Sequence, residues 1–170
     1  MNKNIVLIGF MGAGKSLTAK CLGKKLQRKV VSTDEEIERR EKKSVAQIFT
    51  EAGEEHFRTI ERQIVQALAQ QENLIIDCGG GVVVDVKNIA DLKAGGILFY
   101  LSTSPQWVYE RVKHKQHRPL LNVPDPLAKI RELLSAREPF YRQADHILDT
   151  DGKTVEESCQ EVLSIIHARA

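Results

Sequence analysis

One stretch limits what this chain can fold into more than any other. Gly9-Phe10-Met11-Gly12-Ala13-Gly14-Lys15-Ser16 fits the pattern GxxxxGK[ST] and follows directly on the apolar run Ile5-Val6-Leu7-Ile8, which reads as a buried strand. From Leu17 to Leu26 the chain keeps Ala19, Cys21, Leu22 and Leu26 at the spacing of an amphipathic helix. Strand, glycine loop and helix in that order cradle a polyphosphate. Amide N–H groups curl around the anion where no Cβ intrudes, and the helix N-terminus adds partial positive charge. Gly12, Ala13, Gly14, Lys15, Ser16 and Leu17 are therefore the nucleotide-binding candidates, with Lys15 reaching the β and γ phosphates and the Ser16 hydroxyl ligating Mg²⁺. With Gly at about 7% of residues, the four fixed positions recur by chance in fewer than about one in a hundred chains this long. The same loop serves kinases, GTPases and motors, so the reaction has to be read from the rest of the chain.

A length of 170 residues with 42% hydrophobic side chains suits one domain, residues 1–170, with a substantial core. The net charge is only +2 with acids and bases interspersed, which does not indicate nucleic acid or a membrane surface as a partner. The first residues run straight into a short apolar stretch, unlike a signal peptide, and no segment approaches a membrane span, so the expected location is cytoplasmic. Cys21, Cys78 and Cys159 are odd in number and far apart, which fits reduced thiols better than a disulfide framework or a zinc site.

Taken in order, Lys29 to Asp34 reads as a strand ending in small polar residues that cap a helix from Glu35 to Lys43. Asp34, at the carboxyl edge of that strand, is either the cap or a catalytic carboxylate. Ser44-Val45-Ala46-Gln47 is a capping box for a short helix closing at Gly53, and a second helix follows from Glu54 to Leu68. On it Arg58 stands four residues after Glu54 and three before Glu61, as solvated helix pairing or as a guanidinium held for an anionic ligand. Asn73 to Asp77 is another buried strand, followed at once by Cys78-Gly79-Gly80-Gly81. Consecutive glycines there point to close approach of a ligand, with a plain turn as the alternative. Asp77 also has the form of a carboxylate that holds a Mg²⁺-bound water opposite Ser16. Asp85 to Lys93 reads as a helix ended by Gly95-Gly96, Ile97 to Leu101 as a strand, and Ser104-Pro105 as a helix start. Residues 113–126, basic and then apolar with three prolines, form a loop that closes over phosphates or is simply solvated. Asp125-Pro126 caps a helix through Arg137, His146 to Asp149 is a fifth strand, and Thr154 to His167 a last amphipathic helix. Strands alternating with helices imply right-handed crossovers and a parallel sheet covered on both faces, a three-layer α/β/α fold.

Several of these stretches together resemble the shikimate kinase family of P-loop small-molecule kinases, related to nucleoside monophosphate kinases. They are the phosphate loop, Gly53-Glu54 with Phe57-Arg58 and Glu61, Gly79-Gly80-Gly81, Arg118-Pro119-Leu120-Leu121, and Arg137 with Tyr141 and Ala144-Asp145. The resemblance spans nearly the whole chain. It implies a five-stranded parallel sheet of order 2-3-1-4-5, a substrate-binding segment at about 33–62 and a lid at about 113–125. It implies MgATP-dependent phosphorylation of the 3-hydroxyl of shikimate, with ATP and shikimate as partners and the chain acting as a monomer. Arg58 and Arg137 are then expected to grip the shikimate carboxylate, Asp34 and Gly79, Gly80 and Gly81 to orient its hydroxyls, and Phe49 and Phe57 to form an apolar wall. Asp34 is also expected to accept the hydroxyl proton, Arg118 to stabilise the transferred phosphoryl group, Arg111 to lie near the adenine, and the turn from Leu148 to Lys153 to flank it.

The chain departs from the family pattern at two places. The family usually carries Asp-x-Asp at the end of the second strand, its first aspartate near Mg²⁺, where this chain has Ser32-Thr33-Asp34. At the third strand the family commonly has Thr before the glycines, where Cys78 stands here behind Asp77. The expectation is a swap in which Asp77 supplies the missing carboxylate. Two other readings stay open: a kinase for another small hydroxy acid such as gluconate or for a nucleotide, and a nucleotide-binding regulatory module without transfer.

Overall fold

Residues 2–114 and 122–168 are described by a computed structural model. Five parallel strands, β1 (Asn4–Ile8), β2 (Lys29–Ser32), β3 (Leu74–Asp77), β4 (Gly96–Ser102) and β5 (His146–Asp149), form one sheet in the order β2-β3-β1-β4-β5. This is the order the resemblance implies. Strand alternation sorts the core into two layers. Ile5 and Leu7 of β1 face a cluster with Ile75, Phe99, Leu22, Val162 and Ile166, which covers the sheet with α1 (Lys15–Leu26) and α7 (Val155–His167). Val6 and Ile8 face the opposite cluster, where Ile76, Tyr100, Val65, Ile89, Val108 and Tyr141 are supplied by the sheet and by α3 (Val45–Ala69), α4 (Val86–Gly95), α5 (Pro105–Val112) and α6 (Pro126–Tyr141). A smaller cluster of Ile37, Ile48, Phe57 and Ile60 joins α2 (Thr33–Glu41) to α3. Both faces of the sheet are thus covered, as an all-parallel sheet requires.

Three boundaries differ from the sequence reading. β2 ends at Ser32, whose hydroxyl accepts from Glu35 N at 3.3 Å, so Ser32 is the cap. Asp34 lies one residue inside α2 and not at the strand's edge, because the serine oxygen satisfies the helix's open N–H groups and leaves three acids in the first turn, where the macrodipole favours them. The two helices expected on either side of Gly53 run as one element, α3, whose backbone leaves helical geometry at Gly53 (φ 81, ψ 172). Helix α6 continues through Pro139 to Tyr141. Proline there removes a bond to the carbonyl of Ser135, an exposed residue. The expected lid falls largely on residues 115–121, outside the described residues, and its flanks are the end of α5 and the Asp125 cap of α6, which accepts from Ala128 N at 3.0 Å.

Candidate active site

The carboxyl ends of β1, β2 and β3 open into a cleft of about 600 Å³ whose walls include Lys15, Ser16, Asp34, Asp77, Arg111 and Lys153. In α/β sheets ligands collect at this edge. Lys15 is buried, with Nζ donating to the carbonyls of Gly9 at 2.8 Å and Phe10 at 3.1 Å. Its charge is therefore stored inside the loop, facing the place where phosphates dock. The Ser16 hydroxyl donates to Asp77 Oδ2 at 2.5 Å. Asp77 is paired in register with Ser32 across β2 and β3, and with Leu7 across β3 and β1. Its carboxylate is thereby set between the phosphate-loop strand and the position where the family's other aspartate is expected.

The glycines after β3 are dictated by what lies against them. A Cβ on Gly79 would stand 2.5 Å from Asp34 Oδ1, and one on Gly81 would stand 2.5 Å from Arg58 Nη2. A Cβ at either position would force the charged group beside it to shift. The Gly79 N–H donates to Thr33 Oγ1 at 2.8 Å, which fixes Asp34 against the segment by way of its neighbour in α2. Burial raises the Asp34 pKa above that of an ordinary carboxylate, Asp77 and Glu38 pushing the same way and Lys15 and Arg58 opposing.

Arg58 reaches this spot from α3. Its Nη1 bonds Glu61 at 2.7 Å and its Nη2 bonds Glu54 at 3.2 Å. Glu61 is 1% exposed, so the solvated-pair reading fails on that side. Its carboxyl pKa is raised by burial against the pull of Arg58 and, further off, of Arg137. Arg137, from α6, lies with Nη1 3.7 Å from the Cβ position of Gly80 and its guanidinium carbon 5.7 Å from the Phe10 ring centroid. Consecutive glycines are thus addressed by Asp34, Arg137 and Arg58, three charged groups from three helices. Phe57 is buried and packs tilted against Phe49, with centroids 4.6 Å apart, and Phe49 stays 36% exposed at the rim.

On the opposite side, Arg111 donates to the carbonyls of Gly12 at 2.9 Å and Thr150 at 3.2 Å and lies over Trp107 at 5.7 Å. Lys153 lines the same cleft with its ammonium on Glu161 at 2.6 Å, and exposed Leu17 borders it. Arg118 lies outside the described residues. Thr33, Thr150 and the buried Tyr141, whose hydroxyl donates to the Gly80 carbonyl, were not singled out as site residues from the sequence. Only Tyr141, one turn after Arg137, carries a sequence signal, its spacing on a helix. Cys78 is buried at the floor, and desolvation pushes its thiol pKa well above the usual range, which makes it inert.

The model of the shikimate kinase family matches residues 11–167. A shikimate kinase of Caldanaerobacter subterraneus subsp. tengcongensis is 42% identical over 161 residues, 95% of this chain and 94% of that protein. One of Thermodesulfovibrio yellowstonii is 41% identical over 161 residues, 95% of this chain and 93% of that protein. The solved structure of the Acinetobacter baumannii shikimate kinase in complex with shikimate superposes with a TM-score of 0.94 at 34% identity, covering 99% of this chain and 95% of that one.

Proposed function

The chain belongs to the shikimate kinase family, and from that premise we propose that it transfers the γ-phosphoryl group of ATP to the 3-hydroxyl of shikimate. The observation that supports this most is the placing of Asp34, Arg58 and Arg137 around one glycine segment that opens toward Lys15. Such a site needs little covalent chemistry of the protein, because phosphoryl transfer is driven by positioning and charge neutralisation.

Lys15 leaves the carbonyls of Gly9 and Phe10 for the β and γ phosphates, while the loop amides hold the remaining oxygens. Arg111 is held by the Gly12 and Thr150 carbonyls beside the base, with Lys153 across the cleft. Arg58 and Arg137 take the acceptor carboxylate by charge-assisted bonds. Arg58 is pre-oriented by Glu61 and Glu54, and Phe57 with Phe49 walls the ring. Asp34, its pKa raised, accepts the proton of the attacking hydroxyl as that oxygen bonds to the γ-phosphorus and the bond from phosphorus to the bridging oxygen breaks, so that ADP leaves. Arg118 meets the charge of the transferred group.

A hydroxyl and a carboxylate 2.5 Å apart at the mouth of the loop fit a hard cation. Ser16 and Asp77 would hold Mg²⁺, with Asp77 standing in for the acid absent at Ser32. When bound, the ion neutralises charge on the β and γ phosphates. Two protein ligands suit a Mg²⁺ ion that would take its other oxygens from phosphate and water. The chain acts on soluble metabolites as a monomer in the cytoplasm. Among the described residues no helix is long and apolar enough to cross a membrane.

The test is ADP release with ATP, Mg²⁺ and an acceptor panel. The proposal expects turnover with shikimate. Turnover of gluconate or a nucleoside monophosphate in its place would overturn the acceptor, and nucleotide binding without ADP release from any acceptor would overturn the transfer.

A further inference from the structure

The glycine segment is fixed on three sides, and only two of them belong to the chemistry above. Gly79 is held by Thr33 with Asp34 beside it, and Arg58 lies beside Gly81. Gly80 has a different partner. Its carbonyl accepts the hydroxyl of Tyr141, the last residue of α6, which is fully buried one turn beyond Arg137. The position that a Gly80 Cβ would take lies 3.6 Å from Gly9 O and Met11 N of the phosphate loop and 3.7 Å from Arg137 Nη1. Gly80 therefore stands between the donor loop and the acceptor arginine.

The tyrosine is itself braced. Its ring stacks on Tyr100 of β4 with centroids 4.9 Å apart and planes 17° apart, and the Tyr100 hydroxyl donates to Glu138 Oε2 at 2.5 Å, next to Arg137 on α6. Burial pushes the Tyr141 pKa up to about 12 against the pull of the neighbouring Arg137 guanidinium, so the hydroxyl keeps its proton to donate. A run of glycines has the largest backbone freedom of any sequence, and one buried hydrogen bond from a stacked ring removes much of it at the middle residue.

We propose that Tyr141 is a positioning residue for the transfer: by locking the Gly80 carbonyl it keeps Arg137 and the phosphate loop in register, so that acceptor and donor meet. This rests on reading Arg137 as part of the acceptor grip. Tyr100→Phe is the comparison for a bond that only supports the layer, because it keeps the ring stacked on Tyr141 and removes only the hydroxyl on Glu138.

The experiment compares Tyr141→Phe, Tyr100→Phe and Tyr141→Phe in an Arg137→Lys background, each by thermal unfolding and by steady-state kinetics. The expected result is that both phenylalanine variants lose similar thermal stability, while only Tyr141→Phe raises the KM for shikimate, on the order of fivefold, as loss of one buried hydrogen bond implies. The KM for ATP stays the same. In the Arg137→Lys background the Tyr141 change adds less than a factor of about two, because its route is already broken. An unchanged shikimate KM in Tyr141→Phe, an equal rise in Tyr100→Phe, or full additivity with Arg137→Lys would overturn the inference. A wild type inactive with shikimate would instead sink the functional reading, so the two failures are told apart.

Discussion

The donor half and the acceptor half of the cleft are built in opposite ways. On the donor side the grip is main chain. The loop between β1 and α1 offers consecutive amides and one lysine, and its residues are neighbours in sequence. On the proposed acceptor side the grip is side chain. Asp34 comes from α2, Arg58 from α3 and Arg137 from α6, brought together by glycines too small to keep them apart. A backbone cradle tolerates changes around it but binds any polyphosphate, whereas a side-chain cluster selects its ligand and is vulnerable at each member.

Substitutions test that contrast, beginning with the largest effect. Lys15→Met removes the ammonium of the phosphate loop and lowers kcat on the order of a thousandfold in the ADP-release assay, with shikimate binding by calorimetry retained. Loss of shikimate binding in parallel would mean that the halves are not separable. Asp34→Asn lowers kcat by about a hundredfold or more without destabilising the fold. The sign follows from its raised pKa. A carboxyl whose folded pKa lies above 3.8 contributes stability below the unfolded value and loses it as pH rises through the folded one, so at neutral pH its charge opposes folding. The asparagine variant should melt at the same temperature or higher at pH 7, and the wild-type kcat should fall on the acid side at a pH above the ordinary aspartate range. A marked drop in melting temperature would contradict this. Asp77→Asn weakens the apparent Mg²⁺ affinity about tenfold or more, read by metal titration of nucleotide binding, and leaves the shikimate KM alone. An unchanged metal dependence would refute the relocation of the acid from β2 to β3. The smallest effect is chemical: Cys78 stays unmodified by a maleimide in the folded protein while Cys21, partly exposed, reacts.

The same contrast explains what was legible in the sequence. The phosphate loop was readable because its function resides in contiguous residues whose glycines have one physical reason to be there. The strand order and the acceptor residues were reached through resemblance, since neither Arg58 nor Arg137 announces in one dimension that it converges on Gly80 and Gly81. Glu61 illustrates the limit. Helical spacing pairs it with Arg58 whether it lies in water or in the core, and only the packing of α3 against α2 shows that it is buried. Asp34 was assigned to a strand end because Ser32 and Thr33 suit a strand and a cap equally, and the serine hydroxyl decided for the cap. Tyr141 enters the sequence reading only as part of the resemblance and without a role, because Pro139 reads as a helix end although the helix continues.

The proposed guanidinium pair of Arg58 and Arg137 selects the acceptor by its carboxylate, independently of the donor loop. This selection is tested most directly by steady-state turnover of shikimate against its carboxamide, in the wild type and in Arg58→Ala. The wild type is expected to prefer the acid by about tenfold or more in kcat/KM, Arg58→Ala to abolish most of this preference, and the KM for ATP to be the same throughout. Equal turnover of acid and amide by the wild type, or a preference that survives the loss of Arg58, would contradict it.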